Sequence, residues 1–118
     1  MNWYQSCAYD DVQKRIFHTT GLKRLRALVK AIGFISNSFD IRSNHGGIAV
    51  SGEVTLHHEH LYVQISQPAT RADTGILIRT CKGRKDYVGG RNHFAPLSML
   101  DDIPGLADRC RSVLQQGG

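Results

Sequence analysis

The amino-acid sequence predicts an α+β domain in which an antiparallel sheet of about four strands carries two amphipathic helices on one face. Three observations lead to this prediction. Apolar and polar residues alternate in short runs between residues 34 and 81, which is the pattern of half-buried strands. The connections within 48–81 are too short for parallel crossovers, so these strands run antiparallel. An apolar stripe with helical spacing lies near each end of the chain.

Length and composition indicate one globular domain over residues 1–118. The hydrophobic fraction of 41% and the charged fraction of 21% are ordinary for a folded protein. Three widely spaced cysteines do not form a disulfide framework. The N-terminus lacks a signal-peptide pattern, and no apolar run approaches the roughly 20 residues that cross a bilayer. We therefore expect a soluble, cytoplasmic protein with no membrane partner.

The first helix is predicted over residues 20–32. Thr19 or Thr20 suits its N-cap, and Gly33 suits its C-terminal cap. Residues 13–19, just before it, favour a short strand, although one more helical turn fits them as well. The apolar residues recur at intervals of three and four: Leu22, Leu25, Leu28, Val29 and Ile32.

Four strands are predicted after this helix, over 34–42, 48–56, 60–66 and 75–81. Residues 13–19 would add a fifth, and a turn at Lys82 and Gly83 would return residues 85–88 as a short edge strand. The sheet face opposite the helices is then expected to be solvent-exposed. Its side chains would be Ser51, Glu53, Thr55, His60, Tyr62, Gln64 and Arg79.

The C-terminal part of the chain predicts a second helix. Residues 98–101 resemble a capping box and indicate a single helical turn. Pro104 suits the first turn of the final helix, which continues to about Gln116. Its inner face would consist of Leu106, Ala107, Cys110, Val113 and Leu114.

The net charge of +5 is concentrated in two blocks. Residues 1–47 contain seven Lys and Arg against three Asp and Glu, and residues 82–93 contain four against one. The sheet region between them is close to neutral. Two dense basic blocks indicate an anionic partner.

These blocks supply the candidate binding residues. Lys and Arg neutralise phosphates, and Tyr87 can stack on a base. Lys23 and Arg24, in the first turn of the predicted helix, oppose the positive end of its dipole. Either Asp10 and Asp11 offset them, or they bind an anion together with the free N–H groups. The prediction requires both blocks to converge on one surface; a solvated loop is the alternative for the second block. The candidates are Lys23, Arg24, Arg26, Lys82, Arg84, Lys85, Tyr87, Arg91, Asn92 and His93.

The cluster at residues 57–60 raises the question of a metal site. His58 and His60 would share one face of a strand, as two ligands of Zn²⁺ or Ni²⁺ do. No spacing specifies a third ligand, and a polar hairpin tip explains the same residues. Cys81 near a histidine suggests a nucleophile, but nothing orients such a pair. We therefore predict no catalytic residues, no metal and no cofactor.

The predicted function is that of a small non-enzymatic binding or regulatory protein that acts on nucleic acid or on a nucleoprotein complex. One form of such a protein is a mobile-element inhibitor of a host defence complex such as CRISPR. An alternative is a protein–protein adaptor that uses the open sheet face or an edge strand, with an acidic protein surface or a second copy as partner. A metal-dependent hydrolase built on residues 57–60 is the third.

Overall fold

The described part of the chain contains two α-helices and five strands, which confirms the predicted α+β class. The computed structural model describes residues 11–44, 52–66, 75–83 and 89–116. Short 3₁₀ helices at Ser36–Ser38 and Leu97–Asp101 connect the main elements. In chain order these are α1 (Asp11–Ile32), β1 (Phe39–Asn44), β2 (Glu53–His58), β3 (Leu61–Ser66), β4 (Ile76–Thr80), β5 (His93–Ala95) and α2 (Ile103–Gln116).

The strands form one antiparallel sheet in the order β1-β2-β3-β4-β5. Leu56 lies opposite Ile41 and Val63, and Val63 lies opposite Ile78, so one apolar row crosses four strands. Because side chains alternate along a strand, this row faces the helices together with its neighbours two residues away. The predicted alternation in the runs that became β2, β3 and β4 is thus confirmed. The sheet residues of the hydrophobic core are Val54, Leu56, Leu61, Val63, Ile65, Ile76, Ile78 and Ala95.

Both ends of the sheet differ from the prediction. β1 begins at Phe39 rather than Phe34, because a 3₁₀ turn intervenes and the ring of Phe34 stacks on His58. β5 was not predicted, since three residues are too few to show alternation. The edge strand predicted over 85–88 lies outside the described residues.

α1 is one continuous helix, so the strand predicted over 13–19 and the helix start at Thr19 or Thr20 are wrong. Phe17 and His18 are both buried, with 0% and 3% of their surface exposed. Successive residues of a strand point to opposite faces, whereas both can lie on the buried side of a helix. Lys23 and Arg24 are therefore in the middle of α1, and the anion site predicted at its N-terminus is wrong.

The end of α1 follows the prediction. Gly33 has a φ of 95°, which favours glycine, and its N–H donates to the Val29 carbonyl at 3.0 Å. The Phe34 N–H donates to the same oxygen at 3.0 Å. These bonds satisfy a carbonyl that the helix leaves without a partner at its end.

α2 packs beside α1 on the same face of the sheet, as predicted. Asp102 caps it, since its Oδ1 accepts the Gly105 N–H at 3.1 Å. The Arg111 guanidinium donates to the Ala31 carbonyl at 2.7 Å in the last turn of α1, where a cation is favourable. Neither described helix has a stretch that is long and apolar enough to cross a membrane.

The sheet face opposite the helices is not solvent-exposed at its centre, so that prediction is wrong for two residues. Thr55 is 5% exposed and Tyr62 is 7% exposed. Tyr62 donates to the Gln64 Oε1 at 2.8 Å, and the Arg79 guanidinium lies 4.4 Å from its ring centroid. His60 is exposed, but in the turn between β2 and β3. Ser51 lies outside the described residues.

At Gly21 the backbone of α1 comes close to the sheet. A Cβ at this position would lie 2.8 Å from the Ile65 Cδ1 and 3.2 Å from the Val54 Cγ2. The helix backbone therefore rests directly on β2 and β3. One turn before it, His18 Nδ1 and Ser43 Oγ share a hydrogen bond of 2.6 Å that ties α1 to β1.

We expect Gly21→Val to lower the free energy of unfolding by about 2 kcal/mol, because overpacking must lift α1 from the sheet. Ala27→Val is the matched control, since Ala27 is exposed on the same helix. Helix propensity alone predicts the reverse order, with a slight gain at Gly21 and a loss of about 0.5 kcal/mol at Ala27. Chemical denaturation measures both. A Gly21→Val variant at least as stable as Ala27→Val would contradict the close contact.

Candidate functional site

Four cations line one solvent-exposed side of α1: Arg15, Lys23, Arg26 and Lys30. At about 100° of rotation per residue they fall within an arc of about 80°, and about 22 Å of helix axis separates the first from the last. We call these four residues the basic stripe. The buried side chains of α1, such as Leu25 and Leu28, lie outside this arc.

Three of the four cations have no acidic residue near them along the helix. Between Asp11 and Asp40 the chain contains no Asp or Glu, so Lys23, Arg26 and Lys30 have no carboxylate one turn away, whereas Asp11 lies four residues before Arg15. In the part of the chain that the structure describes, none of the four forms an ion pair. Their positive charge is therefore available to a ligand.

Arg24 lies apart from the stripe. It is about 100° beyond Lys23 around the helix, on the side that faces α2. Its guanidinium pairs with the Asp101 carboxylate at 3.4 Å. Lys23 and Arg24 nevertheless border one shallow depression of about 410 Å³, together with Thr20 and Ala27. Of the three predicted residues on this helix, Lys23 and Arg26 thus belong to the stripe.

The second group of predicted residues lies at the end of β4. Lys82 borders a depression of about 420 Å³ that includes Cys81 and His60. The Gly90 N–H donates to the Thr80 carbonyl at 2.8 Å, which holds the segment before β5 against this end of the strand. Arg91 and Asn92 follow and are exposed.

His93 is placed differently from its neighbours. It is half-buried in β5 opposite Ile78, and its Nε2 is buried with no hydrogen-bond partner among the described residues. The remaining predicted residues, Arg84, Lys85 and Tyr87, lie outside the described ranges.

The described residues of the second group lie apart from the basic stripe. α1 packs on β1 and β2, whereas Lys82 follows β4 and Arg91 precedes β5. α2 packs on β4. The basic stripe and these two residues therefore belong to separate surfaces.

Sequence reasoning missed half of the stripe. Arg15 was assigned to a strand, and Lys30 was not among the candidate residues. Two signals were available: the absence of acidic residues between Asp11 and Asp40, and cations whose separations of eight, three and four residues all keep one helical face. Neither signal led to the stripe, because Gly21 interrupts the apolar pattern that would have extended the predicted helix towards the N-terminus.

The histidines at 57–60 have separate surroundings. The His58 ring stacks on Phe34 at 3.6 Å between centroids, and its Nδ1 accepts the His60 N–H at 3.1 Å. His57 points to the opposite face of the sheet, where its Nε2 lies 3.1 Å from the Thr55 Oγ1. Within the described ranges, no group of three or more His, Cys, Asp or Glu side chains is arranged to hold a metal ion.

The two described cysteines are free thiols with different environments. Cys81 is half-buried, and its S–H donates to the His58 carbonyl at 3.1 Å. Cys110 is fully buried, and burial raises the pKa of its thiol from 9.0 to about 12, although Arg111 and Arg109 act in the opposite direction. The buried, neutral thiol of Cys110 therefore makes its full contribution to the free energy of unfolding below pH 9, and this contribution declines as the pH rises towards 12.

Comparisons with protein-family models, with curated proteins and with solved structures find no match. The geometry and charge of the chain itself are therefore the basis for inferring its function.

We expect Cys110 to resist alkylation by iodoacetamide at pH 8 in the folded protein. A pKa near 12 leaves about 10³-fold less thiolate than a pKa of 9.0, and burial also blocks access. Mass spectrometry of the Cys110 peptide, with and without denaturant, measures this, and Cys81 in the same sample is the internal comparison. Equal alkylation rates for Cys110 with and without denaturant would contradict the burial of this side chain beneath α2.

Proposed function

We propose that the protein binds polyanions, either nucleic acid itself or the nucleic acid of a nucleoprotein complex, through the basic stripe. The observation that supports this proposal is the alignment on one side of a helix of four exposed cations that form no ion pair with any described residue. A phosphate backbone is the ligand that presents negative charges in a matching line.

The stripe is preorganised, because packing against the sheet fixes the rotation of α1 about its own axis. Phe17, Leu25 and Leu28 are fully buried beneath it, and Gly21 contacts the sheet. Binding therefore requires ordering of the cationic side chains alone, which keeps the entropic cost low.

Like charges along the stripe also favour an anionic ligand. Lys23 and Arg26 are three residues apart, and Arg26 and Lys30 are four apart, so each pair destabilises the free helix by about 0.2–0.5 kcal/mol. Bound phosphates remove this repulsion and release their condensed counterions. For four contacts on duplex DNA we expect log K to fall with log salt at a slope of about −3.6.

The proposed role is regulatory rather than catalytic. Contacts to phosphates position a protein without reading sequence, so the stripe suits an accessory protein that occupies a nucleic-acid surface. An inhibitor of a nucleoprotein defence complex such as CRISPR is one form of this role. Free thiols at Cys81 and Cys110 are compatible with the reducing cytoplasm, where we propose that the protein acts.

We expect Arg26→Gln to reduce the magnitude of the salt slope for DNA by about 0.9, and Arg26→Gln combined with Lys30→Gln to reduce it by about 1.8. Arg109→Gln on α2 is the matched control, since it removes an equally charged, exposed arginine and should leave the slope unchanged. Fluorescence anisotropy of a labelled oligonucleotide over a salt series measures the slopes.

Circular dichroism shows whether each variant is folded. The proposal fails if Arg26→Gln and Arg109→Gln change the slope equally, or if the wild-type protein shows no salt-dependent binding. In the latter case an acidic protein becomes the better candidate partner for the stripe.

A further inference from the structure

We propose that α1 lies across the major groove of a DNA duplex and contacts both phosphate backbones; this inference rests on the proposed function. The four cations are not evenly spaced. Arg15 lies about 12 Å along the helix axis from Lys23, whereas Lys23, Arg26 and Lys30 fall within about 10 Å of one another. The stripe therefore has two ends with an interval between them.

Short, uncharged side chains occupy this interval. Thr19 is exposed and lies within the arc of the stripe, about halfway between Arg15 and Lys23. Thr20, which is half-buried, lies about 60° outside the arc. A ligand with one long anionic strand would gain from a cation at this position, but a ligand with two separated anionic walls would not.

The dimensions fit a major groove. That groove is about 12 Å wide in B-DNA, which matches the axial distance from Arg15 to Lys23 in a helix that crosses it. Arg15 would then contact one backbone, and the group of Lys23, Arg26 and Lys30 would contact consecutive phosphates of the other. A minor groove of about 6 Å is too narrow for the interval, and the deep major groove of duplex RNA is also too narrow for it.

The stripe lacks what single-strand binding requires. Proteins that bind single strands interleave their cations with aromatic side chains on which bases stack. Among the described side chains of α1, no aromatic residue lies within the arc of the stripe, and Phe17 is fully buried. A duplex, whose bases stay stacked on one another, does not need such a platform.

The test compares labelled duplex DNA, one of its separated strands and duplex RNA of the same sequence at one salt concentration. We expect duplex DNA to bind at least about tenfold tighter than either alternative. Glucosylated hydroxymethylcytosine, which fills the major groove, should weaken duplex binding at least about tenfold. Netropsin, which fills the minor groove, should change it by less than about twofold.

A pair of variants tests the position of Arg15. Arg15→Gln should weaken duplex binding as much as Arg26→Gln does, because each removes a contact to one backbone. Ile16→Gln is the control, since Ile16 is 42% exposed but lies outside the arc of the stripe, and it should bind as the wild type does.

The results separate the two proposals. Equal affinity for duplex and single strand, or competition by netropsin with no effect of glucosylation, would overturn the groove assignment and leave polyanion binding intact. An unchanged affinity in Arg15→Gln would also overturn it. The absence of salt-dependent binding to any of the three nucleic acids would overturn both.

Discussion

The contact of α1 with the sheet at Gly21 is the constraint on which the rest of the structure depends. Glycine inside a helix costs about 0.5–1 kcal/mol relative to alanine. Here the missing Cβ lets the helix backbone approach Val54 and Ile65 directly. At this distance Phe17, Leu25 and Leu28 lose all contact with solvent, which contributes several kcal/mol of hydrophobic free energy and offsets the cost.

This contact fixes the rotation of α1 about its axis and thereby selects the residues that face solvent. A helix with one buried side must expose the opposite one, and in α1 that side carries the basic stripe. On the other flank, the hydrogen bond from Arg111 to the Ala31 carbonyl holds α2, and the ion pair of Arg24 with Asp101 holds the 3₁₀ helix that precedes it. The Asp101 carboxylate is therefore paired with Arg24, which lies outside the stripe.

Local patterns in the sequence predicted those elements whose packing follows one simple period. The alternation of Val54 with Thr55 and Leu56 gave β2, and Gly33 gave the end of α1. The strand predicted over residues 13–19 is wrong because Gly21 interrupts the apolar pattern of the helix. The glycine is explained by the contact between α1 and the sheet, which is a tertiary feature that the local pattern does not contain. The burial of Thr55 and Tyr62 depends on tertiary packing too, and polarity alone predicted their exposure.

The candidate site shows the same division between local and tertiary information. Lys23 and Arg26 were found from their charge, but their alignment with Arg15 required the continuous helix.

An NMR titration of ¹⁵N-labelled protein with duplex DNA tests this alignment directly. The largest amide shifts should occur at Arg15, Thr19, Lys23, Arg26 and Lys30. Shifts confined to Lys82, Arg91 and the ends of β4 and β5 would contradict it.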